Sequence, residues 1–249
     1  MNEPSAHPLR HLHLLCAGAA QGVVLALKPG FEARTGCTLH CRFGAVGAMK
    51  EALLAGEPCD VMVLTQALID SLCADGLLRA DSCAALGPVL TGVAVRAGTP
   101  PPRINSAQDL STALLAADAV YFPDPLRATA GIHFAAVMKT LGVWETLQPR
   151  LHSYPAGAIA MRELAASQAA HPIGCTQVSE ILYTPGVALV GVLPQEFELG
   201  TVYTAAVTAV RPPAADSDHS HQAALASLWV ACLTGEDSVA LRRQAGFVV

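Results

Sequence analysis

Charge and aromatic residues are scarce in this chain: 14% of its residues are Asp, Glu, Lys or Arg, and 5% are aromatic. So low a charge density excludes a disordered polyelectrolyte, which stays extended by burying little and repelling itself. Lys and Arg form no run, and 15 of them against 20 Asp and Glu leave a formal net charge of −5. A nucleic-acid backbone requires a concentrated basic face, so no nucleic-acid partner is expected. Long hydrophobic runs are missing too. Although 52% of the residues are hydrophobic, runs such as Ala223 to Leu233 fall well short of the ~20 residues needed to span a bilayer. No membrane insertion is expected. There is no C-x-x-C pair and no Cys/His cluster at zinc spacing among the 8 cysteines. Several lie in apolar stretches, where a thiol behaves as a small hydrophobe, and the pattern fits reduced thiols in a reducing compartment. Asp216, Asp218, His219 and His221 read as a solvated loop, so neither a metal nor a cofactor is expected.

What is present is enough for a large core. At 249 residues the chain can form one large domain or two smaller ones. Near the N-terminus, Leu12 to Ala20 weakly imitates a secretory leader, but His11 and His13 break it and Glu3 stands where a basic region belongs. We read His11 to Cys16 as a buried strand. The expected location is cytoplasmic, or periplasmic if a leader has been removed.

Strand and helix alternate in the first third: strand His11 to Cys16, helix Gln21 to Arg34, strand Thr38 to Phe43, helix Gly47 to Ala55, strand Asp60 to Leu64, helix Ala67 to Ala74. This order predicts a parallel sheet with right-handed crossovers. A second series starts with a strand at Gly92 to Arg96, followed by Pro100-Pro101-Pro102. It continues with helix Ala107 to Ala117 behind an N-cap at Ser106, strand Ala119 to Phe122, and helix Gly131 to Leu141 with Thr129 as N-cap. Strands follow at Leu151 to Tyr154, Ile173 to Thr176, Val187 to Val192 and Val202 to Val210, and helices at Gly157 to Ser167, Val178 to Leu182, Ala223 to Leu233 and Asp237 to Gln244. Two α/β series predict two lobes, residues 1–91 with 200–249 and residues 92–199, with a cleft between them.

Five strand-to-helix junctions consist largely of small residues: Ala17-Gly18-Ala19-Ala20, Gly44-Ala45-Val46-Gly47, Arg127 to Gly131, Pro155 to Ala158, and Thr176 to Ser179. Small side chains admit a ligand to the backbone, and each helix start offers unpaired N–H groups and a partial positive charge. Several such ends converging make an anion site. The expected ligand-binding residues are Gly18, Ala19, Ala20, Gly44, Ala45, Val46, Arg127, Thr129, Ala130, Gly157, Gln177 and Ser179. Arg127 is the candidate for gripping a carboxylate, and Asp124, between two prolines, reads as a turn-former.

Taken in order, Ala17 to Ala20, Phe31 to Gly36, Ala55 to Val61, Asp124-Pro125 with Ala130 to Ile132, and Leu141 to Trp144 carry a resemblance. The chain resembles the molybdate-binding proteins of ABC importers, in the second topological class of the periplasmic-binding-protein superfamily. The resemblance runs from about Leu12 to Phe247. It implies two α/β lobes crossed twice by the chain, and a small oxyanion enclosed between them for delivery to an importer. It also marks departures. The serines that molybdate binders carry in the first and second loops correspond to Ala19 and to Ala45/Val46, and a late tyrosine corresponds to Gln177. Each lost hydroxyl removes a hydrogen bond of ~1 kcal/mol or more.

Two functions follow from this. One is capture of a small anion, oxyanion or polycarboxylate, by hinge closure. The other is isomerisation of an unsaturated tricarboxylate such as aconitate, an activity that some proteins similar to these binders have. The second needs a group that moves a proton; Glu180, in the first turn of the helix after Gln177, is the first candidate and His133 the second. A transcription-factor effector domain is a third reading, but no helix-turn-helix segment is visible to support it.

Overall fold

The computed structural model describes residues 10–209 and 216–249; of residues 216–220 it describes the backbone alone. Asp216, Asp218 and His219, expected in a solvated loop, lie instead in a helix that opens at Asp216, with their side chains outside the described residues. Among the described residues no single helix is long and apolar enough to cross a membrane.

The first third folds as its periodicity predicts. Strands β1 (Arg10–Ala17) and β2 (Cys37–Gly44) are parallel over their whole length, with α1 (Gln21–Thr35) as the crossover. Gly36, at φ 66°, stops α1 by adopting the left-handed conformation that glycine tolerates. After α2 (Val46–Leu54), strand β3 (Val61–Thr65) joins the other side of β1, again parallel, and leads to α3 (Gln66–Ala74). β3 is buried on both faces, hence its unbroken apolar run.

The next strand departs from the sequence reading. In place of a strand confined to Gly92–Arg96, β4 runs unbroken over Ala84–Arg96. Gly87-Pro88 hides its first half from a pattern search. Gly87, at φ 123°, lies where the pairing register shifts, and the bulge carries the strand past a proline that has no N–H to give.

Past β4 come α4 (Ala107–Ala116), β5 (Ala119–Pro123), α5 (Thr129–Thr140), α6 (Trp144–Leu147), β6 (Leu151–Tyr154), α7 (Gly157–Ala166), β7 (Pro172–Gln177), α8 (Val178–Tyr183), β8 (Val187–Val192), β9 (Gly200–Val207), α9 (Asp216–Thr234) and α10 (Val239–Gln244). Ser106 caps α4 as expected, accepting from the Asp109 N–H at 3.1 Å. For α5 the expectation is corrected: Ala128 is the N-cap, and Thr129 is already the first helical residue.

β4 belongs to both halves of the molecule. Over Ala84–Leu90 it pairs antiparallel with β9, which also pairs with β3 and so extends the first sheet. Over Thr91–Arg96 it pairs with β7 and β8, and β7 leads on to the parallel strands β5 and β6. The apolar core divides in step with the sheet. One group gathers Leu14, Val24, Phe31, Met62, Ala206 and Trp229, and another Val93, Leu110, Val120, Phe134, Met138 and Cys175. The molecule is a two-lobed α/β fold whose chain passes between lobes along β4 and again ahead of β9. β4 changes its partner between Leu90 and Thr91.

Candidate functional site

Between the lobes lies a cavity of about 20 Å³, lined by Ala17, Gly18, Ala19, Gly44, Ala45, Val46, Pro123, Ala128, Thr129, Ala130, Gly157, Gln177, Glu180 and Tyr203. Strands from both lobes end here, each handing over to a helix. The short 3-10 turn Gly18–Ala20 starts behind Ala17, α2 behind Ala45, α5 behind Ala128, α7 behind Ala156 and α8 behind Gln177; none of these cap residues accepts a side-chain hydrogen bond. Alanine is a poor N-cap because it has no acceptor for the orphan N–H groups, and each exchange for Ser, Thr, Asn or Asp is worth ~1 kcal/mol. Ser106 shows that the chain uses a side-chain cap at α4. At the cleft these helix starts carry no side-chain cap, and the residues around them are mostly small.

One acidic side chain enters that space. Glu180 is 6% exposed, and its carboxyl reaches from the first turn of α8 to the start of α7. Its Oε2 accepts from the Thr176 hydroxyl. A Cβ on Gly157 would overlap both Oε2 and the Thr176 hydroxyl, and a Cβ on Gly18, from the opposite lobe, would overlap Oε1. The two glycines are therefore the sites at which backbone from each lobe closes on one carboxyl group. Burial pushes the Glu180 pKa above the ordinary glutamate value; the Thr176 hydroxyl and the backbone N–H groups of Ala158 and Gln177 pull in the opposite direction. The outcome is a carboxyl group that takes up a proton more readily than a solvated glutamate, placed at a helix start that would favour its ionised form.

Tyr203 also lines the cavity, 2% exposed on β9. Burial, then the charge of Glu180, hold its phenol above the usual tyrosine range, so its hydroxyl remains a proton donor. Sequence reading missed it, for nothing local distinguishes a tyrosine in a strand that is otherwise apolar and Thr-rich. Gln177, 2% exposed, anchors the passage between lobes. Its amide nitrogen donates to the β4 carbonyls of Val89 at 3.2 Å and Leu90 at 3.3 Å. The other arm of that amide lies 3.5 Å from the Thr201 hydroxyl of β9.

Four expected site residues lie elsewhere. The Arg127 side chain is 57% exposed and pairs with Glu51 of α2 at 3.4 Å, while its backbone carbonyl accepts from the Gly47 N–H at 3.2 Å. The Asp124 carboxylate accepts from the Leu126 and Arg127 N–H groups at 2.7 and 3.2 Å, an Asx turn just before α5. His133 bonds through Nε2 to the Phe197 carbonyl at 2.7 Å, tying α5 to the segment before β9, and does not reach the cavity. Ala20, the last residue of the 3-10 turn, is buried outside the lining. Ser179 is buried with an unpartnered hydroxyl, also outside the lining. An exposed pair such as Arg127–Glu51 contributes under ~1 kcal/mol. Arg127→Ala should therefore change the affinity for any anion taken into the cleft by less than about fivefold; a loss of a hundredfold in titration calorimetry would return the guanidinium to the ligand.

Two α/β lobes, a chain that passes between them along strands, and helix starts gathered at the junction define a solute-binding protein of the periplasmic type. The chain belongs to the bacterial extracellular solute-binding protein family, whose model matches residues 12–248. In structure it is similar to the periplasmic molybdate-binding protein of Azotobacter vinelandii, at TM-score 0.73 and 20% identity over 96% of this chain and 99% of that one. It is also similar to the sulfate-binding protein SubI of Mycobacterium tuberculosis H37Rv, at TM-score 0.71 and 17% identity over 96% of this chain and 86% of the other. In sequence it is 26% identical to an aconitate isomerase of a Pseudomonas species over 212 residues, 82% of this chain and 78% of that protein.

Proposed function

We propose that the cleft takes up a small unsaturated polycarboxylate and that Glu180 moves a proton on it, an isomerisation of the aconitate type. The observation that carries this reading is the Glu180 carboxyl inside the cleft, between Gly18 and Gly157. A receptor for a fully ionised oxyanion gains nothing from an acidic group among its N–H donors, because like charges at short range raise each other's energy. A proton-transfer site gains a base whose neutral form is tolerated, since burial has already raised its pKa. In such a reaction Glu180 removes a proton from the methylene carbon. The electron pair spreads over the allylic system, and the proton returns to the other terminal carbon, so the double bond moves. The helix starts at Ala45, Ala128 and Ala156 would hold the carboxylates. Tyr203 would donate a hydrogen bond to the charge that develops. The likeness to the Pseudomonas aconitate isomerase supports the same reading.

A cavity of about 20 Å³ has the size of one or two waters, so a tricarboxylate enters only when the lobes separate. We propose residues 1–91 with 200–249 and residues 92–199 as the bodies that move. Gln177 and the two strands it bridges would serve as the hinge.

Capture of a simple oxyanion for an importer is the second reading. It is supported by a cavity lining with no cationic side chain among the described residues, as suits a ligand held by backbone N–H groups, and by the likeness to molybdate- and sulfate-binding proteins. The test is incubation with cis-aconitate in deuterated water, followed by proton NMR. Formation of trans-aconitate carrying solvent deuterium supports the isomerase. No turnover, together with a molybdate- or sulfate-induced rise in Tm that cis-aconitate does not produce, leaves the receptor.

A further inference from the structure

We infer that Cys73 and Cys83 form a redox-responsive pair that closes to a disulfide by exchange with a low-molecular-weight disulfide. Cys73 lies in the last turn of α3, and Cys83 just ahead of β4. Their sulfurs are 3.5 Å apart and in hydrogen-bond contact, and neither residue is buried. A disulfide requires about 2.05 Å between sulfurs, so forming the bond draws these two sulfurs about 1.5 Å closer. Among the described residues no other two thiols are in hydrogen-bond contact. Cys16 and Cys175 are sealed in the core, where burial keeps their thiols protonated and inert.

Burial, the Cys73 contact and the negative charges of Asp70 and Asp81 push the Cys83 thiol up to about 11. We take Cys73 as the first nucleophile and Cys83 as the second. The Cys73 thiolate displaces one small thiol from the small disulfide and leaves a mixed disulfide on Cys73. Cys83 then loses its proton to solvent, attacks the Cys73 sulfur, and expels the second small thiol. The protein gives up two protons and two electrons, and the small disulfide is reduced to two thiols. The new bond ties the loop between α3 and β4 at the entry of the strand that continues into the second lobe. This inference is independent of the ligand in the cleft.

The test is incubation of the reduced full-length protein with oxidised glutathione, followed by non-reducing peptide mapping. The expected product is a Cys73–Cys83 linked peptide with the loss of two hydrogens, about 2 Da. Dithiothreitol should reverse it, and the oxidised form should melt higher than the reduced one. Cys83→Ser should stop at a glutathione adduct on Cys73. A stable glutathione adduct in the wild type without the linked peptide would overturn the proposal. So would both thiols staying open to alkylation after exposure to excess oxidant. Cys73→Ala/Cys83→Ala melting like the reduced wild type shows that the rise in Tm belongs to the bond.

Discussion

Glu180→Gln should sharply lower the proposed isomerase turnover and make the protein more stable at neutral and alkaline pH. The folded state raises the Glu180 pKa through burial, so it binds that proton more tightly than the unfolded chain does. Stability is then full below the ordinary glutamate range and is lost as pH rises through the raised folded value. Above that value the wild type holds a carboxylate in a site 6% exposed. Glutamine keeps the shape and cannot ionise. One orientation of its amide leaves the carbonyl oxygen to accept from Thr176, as Oε2 does now. Melting curves from about pH 4 to about pH 9 should show wild type and variant converging at the acid end and separating with rising pH. In a chain of this size each kcal/mol is worth roughly 2–4 °C in Tm. On the proposed isomerase reading, the substitution should lower kcat by ~100-fold or more. A variant that melts below the wild type at the alkaline end would refute the burial argument, and one that retains turnover would remove Glu180 from the chemistry. Should the protein be a receptor, the same substitution should tighten oxyanion binding, because a charge of the same sign has left the cleft.

Gly131→Ala should be the most destabilising exchange at the site. A Cβ there would overlap the carbonyl oxygens of both Pro123 and Asp124, and these are backbone atoms. The turn cannot move aside. Asp124 N–H is bonded to the Tyr154 carbonyl at 2.7 Å, and the Asp124 side chain holds the next turn of chain through Leu126 N–H at 2.7 Å. Forcing a methyl group into such packing costs about 1–3 kcal/mol, and a rigid neighbour places this site at the upper end. It would also push the α5 start, with Thr129 and Ala130, away from the cavity, so ligand affinity should fall along with Tm. Gly30→Ala is the control. Gly30 lies inside α1, exposed, with only the Arg34 guanidinium near the added carbon at 3.5 Å. There alanine should stabilise by about 0.5–1 kcal/mol, since glycine is the costlier residue to order in a helix. If the two variants melt alike, the close approach at Gly131 is not what holds the loop.

The sequence by itself determined the order of the main elements, the three parallel strands that open the first sheet and the small-residue junctions. These are local properties: apolar spacing fixes strand or helix within a few residues, and a Gly or Ser at an end fixes the boundary. Gly36 stopping α1 and Ser106 starting α4 needed nothing from the rest of the chain. Ala19, Ala45, Ala130, Gly157 and Gln177 were legible as a set because each follows a strand, and in an α/β fold strand ends gather on one side. The tertiary structure alone decided which polar groups enter the space those residues leave. Glu180 and Tyr203 reach it because β7 ends and β9 begins beside each other across β4, a pairing set by long-range hydrogen bonds. Arg127 and His133 stand as near to those junctions in sequence, yet Arg127, beside the Asx turn of Asp124, pairs with Glu51, and the rotation of α5 gives His133 to the Phe197 carbonyl. The length of β4 was hidden for the same reason. Gly87 and Pro88 read as a break until β9 supplies the partner that lets a bulge absorb them, since a bulge is stable only where a neighbouring strand takes up its hydrogen bonds.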